Sequence, residues 1–315
     1  MIMKLFKQEM KYGFSSKLFY TITIFLVFFF TLVLYLNYSA VNDAYDQFLN
    51  TKEYYEQNDL DIEKDLEGES EVIEETKDGG VINNPILHHK EQVSKFIYTA
   101  SPEYSLSQLL ESSLLYFPIV FGILGLLLAT TDFRYKTIKI KTVRNNKVHL
   151  DIAKQISLAV SGLFIMLIAL ITSYLLSLFF YYKISNTIPI TEFEMNLQPI
   201  NSSSPLLLKF AFAYGISLIF MIIGYTLGIV FKNIYVGMIS IIVYMFVLPN
   251  LGVFDLKNSL YFIGNKIFDF KGVIAVENAN DNTTVLTSMS VFLSVLIISF
   301  AINILIMKKR SSFEN

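Results

Sequence analysis

Apolar residues in this chain gather into long unbroken runs, with little of the alternation expected of half-buried strands. A bilayer core about 30 Å thick is crossed by roughly 20 apolar residues in a helix. Six stretches meet that length: residues 18–38, 114–131, 156–182, 206–231, 234–253 and 287–307. In lipid the backbone must satisfy its own hydrogen bonds, so each run predicts a helix. Only Lys232-Asn233 separates the fourth run from the fifth, which predicts a tight hairpin there. Buried helices of a large soluble protein would rarely give six charge-poor runs of this length. The first run is too long for a signal peptide and continues into Asn37-Tyr38 without a small-residue cleavage pattern, so it reads as a retained anchor.

The segments between the runs differ sharply in charge. The leader 1–17, the loop 132–155, the turn at Lys232 and the tail 308–315 together hold 15 of the 25 basic residues. Segment 39–113 instead carries 17 acids and 5 bases. The positive-inside rule then places both termini in the cytoplasm of a multi-pass cell-membrane protein. The expected fold is an all-α membrane protein. It has six transmembrane helices, an N-terminal interfacial helix and a sizeable extracellular segment between helices 1 and 2.

Composition agrees with this placement. The chain of 315 residues is 53% hydrophobic, only 17% charged, and its mean hydropathy is +0.50. Cys is absent, which excludes disulfides, thiol catalysis and Cys-based zinc sites.

Four extramembrane stretches carry further pattern. In the leader, Ile2, Met3, Phe6, Met10 and Phe14 share one helical arc beside Lys4, Lys7 and Lys11, which suits a helix lying on anionic lipid. The acidic segment includes Glu67, Glu69, Glu71, Glu74 and Glu75, a solvated face or an electrostatic trap for cationic substrates. Gly79-Gly80 and Asn83-Asn84-Pro85 mark a break there, and 86–98 reads as a short helix. In the basic loop, Ile138, Ile140 and Val143 alternate with Lys136, Lys139 and Lys141, a short amphipathic element projecting into the cytoplasm. Residues 254–286 are too apolar for a free loop and too interrupted for a span, and predict short re-entrant or interfacial helices.

Catalytic chemistry is missing. The chain has no phosphate-binding G-x-x-x-x-G-K-[S/T], no H-E-x-x-H and no G-x-S-x-G. The span interiors are nearly free of ionisable groups, with Lys209 near the start of the fourth and the amide Asn303 deep in the sixth, which argues against ion-coupled transport. His88-His89 reads as a solvated pair, with no carboxylate spacing to make a metal site. Gly224-x-x-x-Gly228 and Ser157-x-x-x-Ser161 permit close helix packing, within the chain or between chains.

The order of these parts, and the residues of the loop, resemble the permease subunits of ABC transporters of the type-two exporter class. Members often show an acidic residue, then a Gly-Thr pair, a basic residue and a Lys opening the third span. Asp132, Thr137, Arg144 and Lys154 match those positions. The sequence departs at Lys136, where Gly is usual, and at Val143, where Pro is common. The large acidic outer segment looks more like permeases of Gram-positive bacteria that export or resist peptides.

The resemblance implies that the loop, through Asp132, Thr137, Ile138, Ile140, Arg144 and Lys154, couples to a cytoplasmic ATPase present in two copies. ATP and Mg would then sit on that partner, with no cofactor in this chain, which would not itself be an enzyme. A second permease chain, identical or a sister, would complete the path for amphipathic peptides, lipids or hydrophobic compounds. Membrane lipids are the remaining expected partner, and nothing points to nucleic acid. A reading from a different class is a non-transporting membrane sensor or scaffold, whose acidic outer segment binds a ligand.

Overall fold

The computed structural model describes residues 2–68, 72–76, 79–135, 137–193, 204–268, 279–280 and 282–309. In chain order its elements are α1 (Ile2–Ser15), α2 (Leu18–Gln57), α3 (Ile62–Leu66), β1 (Val72–Thr76), β2 (Gly79–Ile82), α4 (Pro85–Ala100), α5 (Pro102–Glu111), α6 (Phe117–Arg134), α7 (Ile138–Arg144), α8 (Lys147–Thr187), α9 (Leu206–Phe231), α10 (Ile234–Ile242), α11 (Leu256–Ile267) and α12 (Val285–Lys309). Five of these are long and apolar enough to cross a membrane: α2, α6, α8, α9 and α12. The outer faces of α2, α8 and α12 stay bare, with Ile24, Phe28, Leu175 and Ile297 each at least 60% exposed. Rows of bare apolar side chains on this scale belong in lipid, so the chain is membrane-embedded. Within these helices Thr23, Thr31 and Thr226 donate back to the carbonyl four residues earlier, which satisfies their hydroxyls without a partner helix.

The expected fifth span is shorter than its apolar run. The 9 residues of α10 continue into a 5-residue π turn over Val243–Val247, and the helix stops there. Pro249 disfavours helical backbone at the residue before it, and Leu248 is extended at ψ 134. Other ends also follow local chemistry. Pro118 sits in the first turn of α6, so that helix begins at Phe117, three residues later than the apolar run. The helices around the first and third runs continue well past them, to Gln57 and across Lys147–Thr187. The fourth run coincides with α9. The hairpin between α9 and α10 is as tight as expected. Lys232 closes α9 in the left-handed conformation, and the Asn233 side chain accepts from the Tyr235 amide at 2.8 Å.

The chain divides into two compact units. One comprises Met1–Leu26, Ser107–Ala169 and Ser202–Asn315. Its centre is the crossing of α6 and α9, where glycines let the backbones touch. A β-carbon on Gly125 would lie 2.0 Å from the Met221 carbonyl oxygen, and one on Gly224 would lie 2.0 Å from that of Gly122. The Gly224-x-x-x-Gly228 pair therefore packs within the chain, with Gly228 against Ala129 and Leu126. The same unit holds α11, whose residues from Leu256 to Leu260 are all buried. This helix occupies part of the stretch expected to form short re-entrant or interfacial helices. Residues 269–278 and 281 lie outside the described residues.

The second unit comprises Val27–Leu106 and Leu170–Asn201. Its core joins Val41 and Ala44 of α2, Val93 and Ile97 of α4, and Ile184 and Ile188 from the end of α8. Tyr45 and Phe48 meet the Phe193 ring edge-on at 5.8 and 5.2 Å. α4 starts where the Asn-Asn-Pro break predicts: Asn84 accepts from the Leu87 amide at 3.2 Å and Pro85 opens the helix. β1 and β2 pair antiparallel within the acidic segment, an element its charge pattern did not announce.

Candidate functional site

The strongest concentration of buried charge lies where α6 ends. Glu9, Asp132, Asp151 and Lys154 are each at most 4% exposed. Buried charges persist only when paired and hydrogen-bonded. Each of these finds partners from a different element.

Asp132, in the last turn of α6, is the hub. Lys154 of α8 pairs with its Oδ2. Lys141 of α7 sits 3.0 Å from its Oδ1, and the Thr137 hydroxyl donates to that same oxygen at 2.7 Å. Thr137 stands at the N-terminal boundary of α7 but does not cap it; its hydroxyl is spent on Asp132. Lys141 also reaches Glu9 of α1 at 2.7 Å and lies over the Tyr12 ring, 4.7 Å from its centroid. Burial pushes the Tyr12 phenol up, and the Asp132 carboxylate adds to the shift. One turn along α8, Asp151 accepts from the Tyr225 hydroxyl of α9 at 2.8 Å and from Gln155 at 2.9 Å. Three carboxylates and two ammoniums thus bind α1, α6, α7, α8 and α9 together at one end of the bundle. The set contains no nucleophile with an adjacent base. Its chemistry is to hold α7 at a fixed place.

Of the six residues expected in the loop, the structure brings Asp132, Thr137 and Lys154 together. Ile138 is half-buried, while Ile140 and Arg144 project outward. Ile140 and Val143 are 61% and 72% exposed, so α7 presents an apolar and basic face to the outside of the molecule. Position 136 lies outside the described residues.

α1 packs on the protein through a stripe beside the arc expected to lie on lipid. Leu5, Glu9 and Gly13 face inward, with Leu5 packed on Leu150 and Ala153 of α8. Phe6 and Met10 flank that stripe, and Phe14 is exposed together with Lys4, Lys7 and Lys11. Glu9, which a purely hydrophobic reading places on the polar side, is held inward by Lys141. In the acidic segment, Glu67 is exposed beyond α3, Glu74 and Glu75 lie on β1, and Glu69 and Glu71 fall outside the described residues.

Sequence reasoning missed Glu9, Lys141 as a partner, Asp151, Gln155 and Tyr225. Two left a trace: Glu9 is the sole acid of a basic leader, and Asp151 the sole acid between Asp132 and Glu192. It also passed over a second buried polar cluster, in which the Ser107 hydroxyl accepts from Lys209 at 2.6 Å and donates to Glu111 at 3.2 Å. Among the described residues no group of three or more acid, His or Cys side chains is placed to hold a metal ion.

No family model, curated protein or solved structure matches this chain.

Proposed function

We propose that this chain is the membrane-spanning subunit of an ATP-driven exporter. It would be energised by a separate cytoplasmic ATPase, with a second permease chain completing the path. The observation that carries the reading is α7: a short helix with an outward apolar and basic face, tied through Lys141 to Glu9 of α1 and to Asp132 of α6, which is itself paired with Lys154 of α8. Push on α7 would be delivered directly to the ends of two long apolar helices through Asp132 and Lys154. The absence of a phosphate-binding loop in the sequence supports an external energy source. The apolar spans suit amphipathic peptides, lipids or hydrophobic compounds as cargo. The basic leader, loop and tail support cytoplasmic termini.

The test is affinity purification of the tagged full-length chain beside its Ile140→Asp/Val143→Asp variant. Both positions are exposed, so the variant should insert and fold as the parent does. A P-loop ATPase should co-purify with the parent. It should be lost from the variant, because an aspartate buried in an apolar contact without a partner costs several kcal/mol. Equal recovery of the ATPase with both chains would remove α7 as the docking element. Absence of any ATPase from the parent would overturn the exporter reading.

A further inference from the structure

An open groove of about 530 Å³ runs between the C-terminal turns of α9 and α12. That is within the range of small-molecule sites, roughly 300–1,000 Å³. Its lining includes Ile229, Ile302, Leu305 and Ile306, with Lys232 and Lys309 as the charged lining residues among those described. Both lysines are exposed, and both stand at the ends of their helices. The groove therefore has aliphatic walls along the apolar helices and positive charge where those helices leave the hydrocarbon.

Lys232 carries a second signal. Its φ is +55, left-handed backbone that disfavours any residue with a β-carbon. Its amide donates to the Gly228 carbonyl at 3.0 Å, closing α9 at a place where Gly is the default. The chain keeps an ammonium there against the backbone's preference. A cation near a helix C-terminus is favoured by the helix dipole, which accounts for either lysine separately. It does not account for an aliphatic groove between them.

We propose that this groove binds an anionic phospholipid, with its phosphate between Lys232 and Lys309 and an acyl chain along Ile229, Ile302 and Ile306. Basic pockets between membrane helices select such headgroups. A free phosphate would leave the aliphatic walls unused, and a zwitterionic lipid would leave the lysines uncompensated. The proposal is independent of the exporter reading.

The experiment uses the intact chain in detergent with photoactivatable phosphatidylglycerol or phosphatidylcholine of matched acyl chains. Crosslinked peptides are read by mass spectrometry. Phosphatidylglycerol should label the segment containing Leu305 and Ile306, and phosphatidylcholine should label it weakly. Lys232→Gly relieves the backbone while removing the charge, so a folding defect cannot explain its loss of label. Lys232→Gly and Lys309→Gln should each cut the labelling about fivefold. Lys4→Gln, an equal loss of charge on α1, should leave it unchanged. Several results would overturn the proposal: equal labelling by both lipids, no loss in either groove variant, or the same loss in the α1 variant. So would displacement of the label by inorganic phosphate, or crosslinking of Leu305 and Ile306 to a second copy of the chain.

Discussion

The α6–α9 crossing makes a sharp demand on the chain, and it can be tested with one methyl group. Gly224→Ala puts a β-carbon 2.0 Å from the Gly122 carbonyl oxygen. Real β-carbons keep at least 3.0 Å from such an atom. The obstacle is backbone, so no rotamer change relieves it, and the helices must part by about 1 Å at their closest point. A gap of 0.5–1 Å forfeits roughly a quarter to a half of each dispersion contact it opens. Overpacking of this kind costs about 1–3 kcal/mol, and a backbone obstacle places Gly224→Ala at the upper end of that range. Gly215 in the same helix is the internal control, because a β-carbon there meets nothing within 4 Å. Gly215→Ala should stabilise by about 0.5–1 kcal/mol through helix propensity alone. The assay is thermal challenge of the detergent-solubilised chain, followed by the fraction remaining monodisperse on size exclusion. The two substitutions are chemically identical and should move the midpoint in opposite directions. If Gly224→Ala tolerates heat as well as Gly215→Ala, the backbones do not meet at this crossing.

Two further outcomes follow from the buried groups. Asp132→Asn strips buried Lys154 of its bonded counter-charge and should cost about 3–5 kcal/mol by the same thermal assay. Asp132→Leu/Lys154→Met removes both charges and should recover most of the loss; a double variant no better than the single would show that the pair is not the interaction at stake. For pH, His89 of α4 has its pKa lowered, first by burial and then by neighbouring His88. Protonation is thus disfavoured in the folded state, so stability is whole above the unfolded value of about 6.5 and falls as pH drops through it toward the folded one. Amide exchange in α4, corrected for its intrinsic rate, should quicken at acid pH and lose that dependence in His89→Gln; exchange indifferent to pH in the parent would contradict the assigned direction.

Much of the fold was legible because lipid leaves so few options. Runs of about 20 apolar residues located the long helices, and Asn84-Pro85 and Lys232-Asn233 fixed two boundaries. The fifth run misled because hydropathy does not register the residue before a proline: Leu248 is as apolar as its neighbours, yet Pro249 takes it out of the helix. The β1–β2 hairpin was hidden because the run of acids reads as solvated whatever backbone it adopts. At the candidate site, Asp132, Thr137 and Lys154 lay close enough in sequence to be grouped through a resemblance. Glu9 is more than 100 residues from Lys141, and no periodicity in either segment points to the other. Tyr225 was hidden for a different reason, since a tyrosine in an apolar run looks like bulk until a buried Asp151 claims its hydroxyl.

The early stop of α10 has a consequence for the bilayer itself. Its helical residues with the π turn reach about 21 Å at 1.5 Å per residue, against a hydrocarbon layer of about 30 Å. A two-residue turn joins α10 to the end of α9, and α10 with its π turn is too short to cross such a layer by itself. Backbone at that depth must be sealed by protein. Lys257 does so from α11, with its ammonium 2.6 Å from the Leu248 carbonyl, while Asp255 accepts from the Leu251 amide at 2.9 Å. Apolar helix and polar seal thus meet within one short stretch, from Ile234 to Lys257. A helix shorter than the hydrocarbon layer is accommodated by thinning of the bilayer or by sealing from protein, so membrane thickness is a variable to which an element of this length is sensitive.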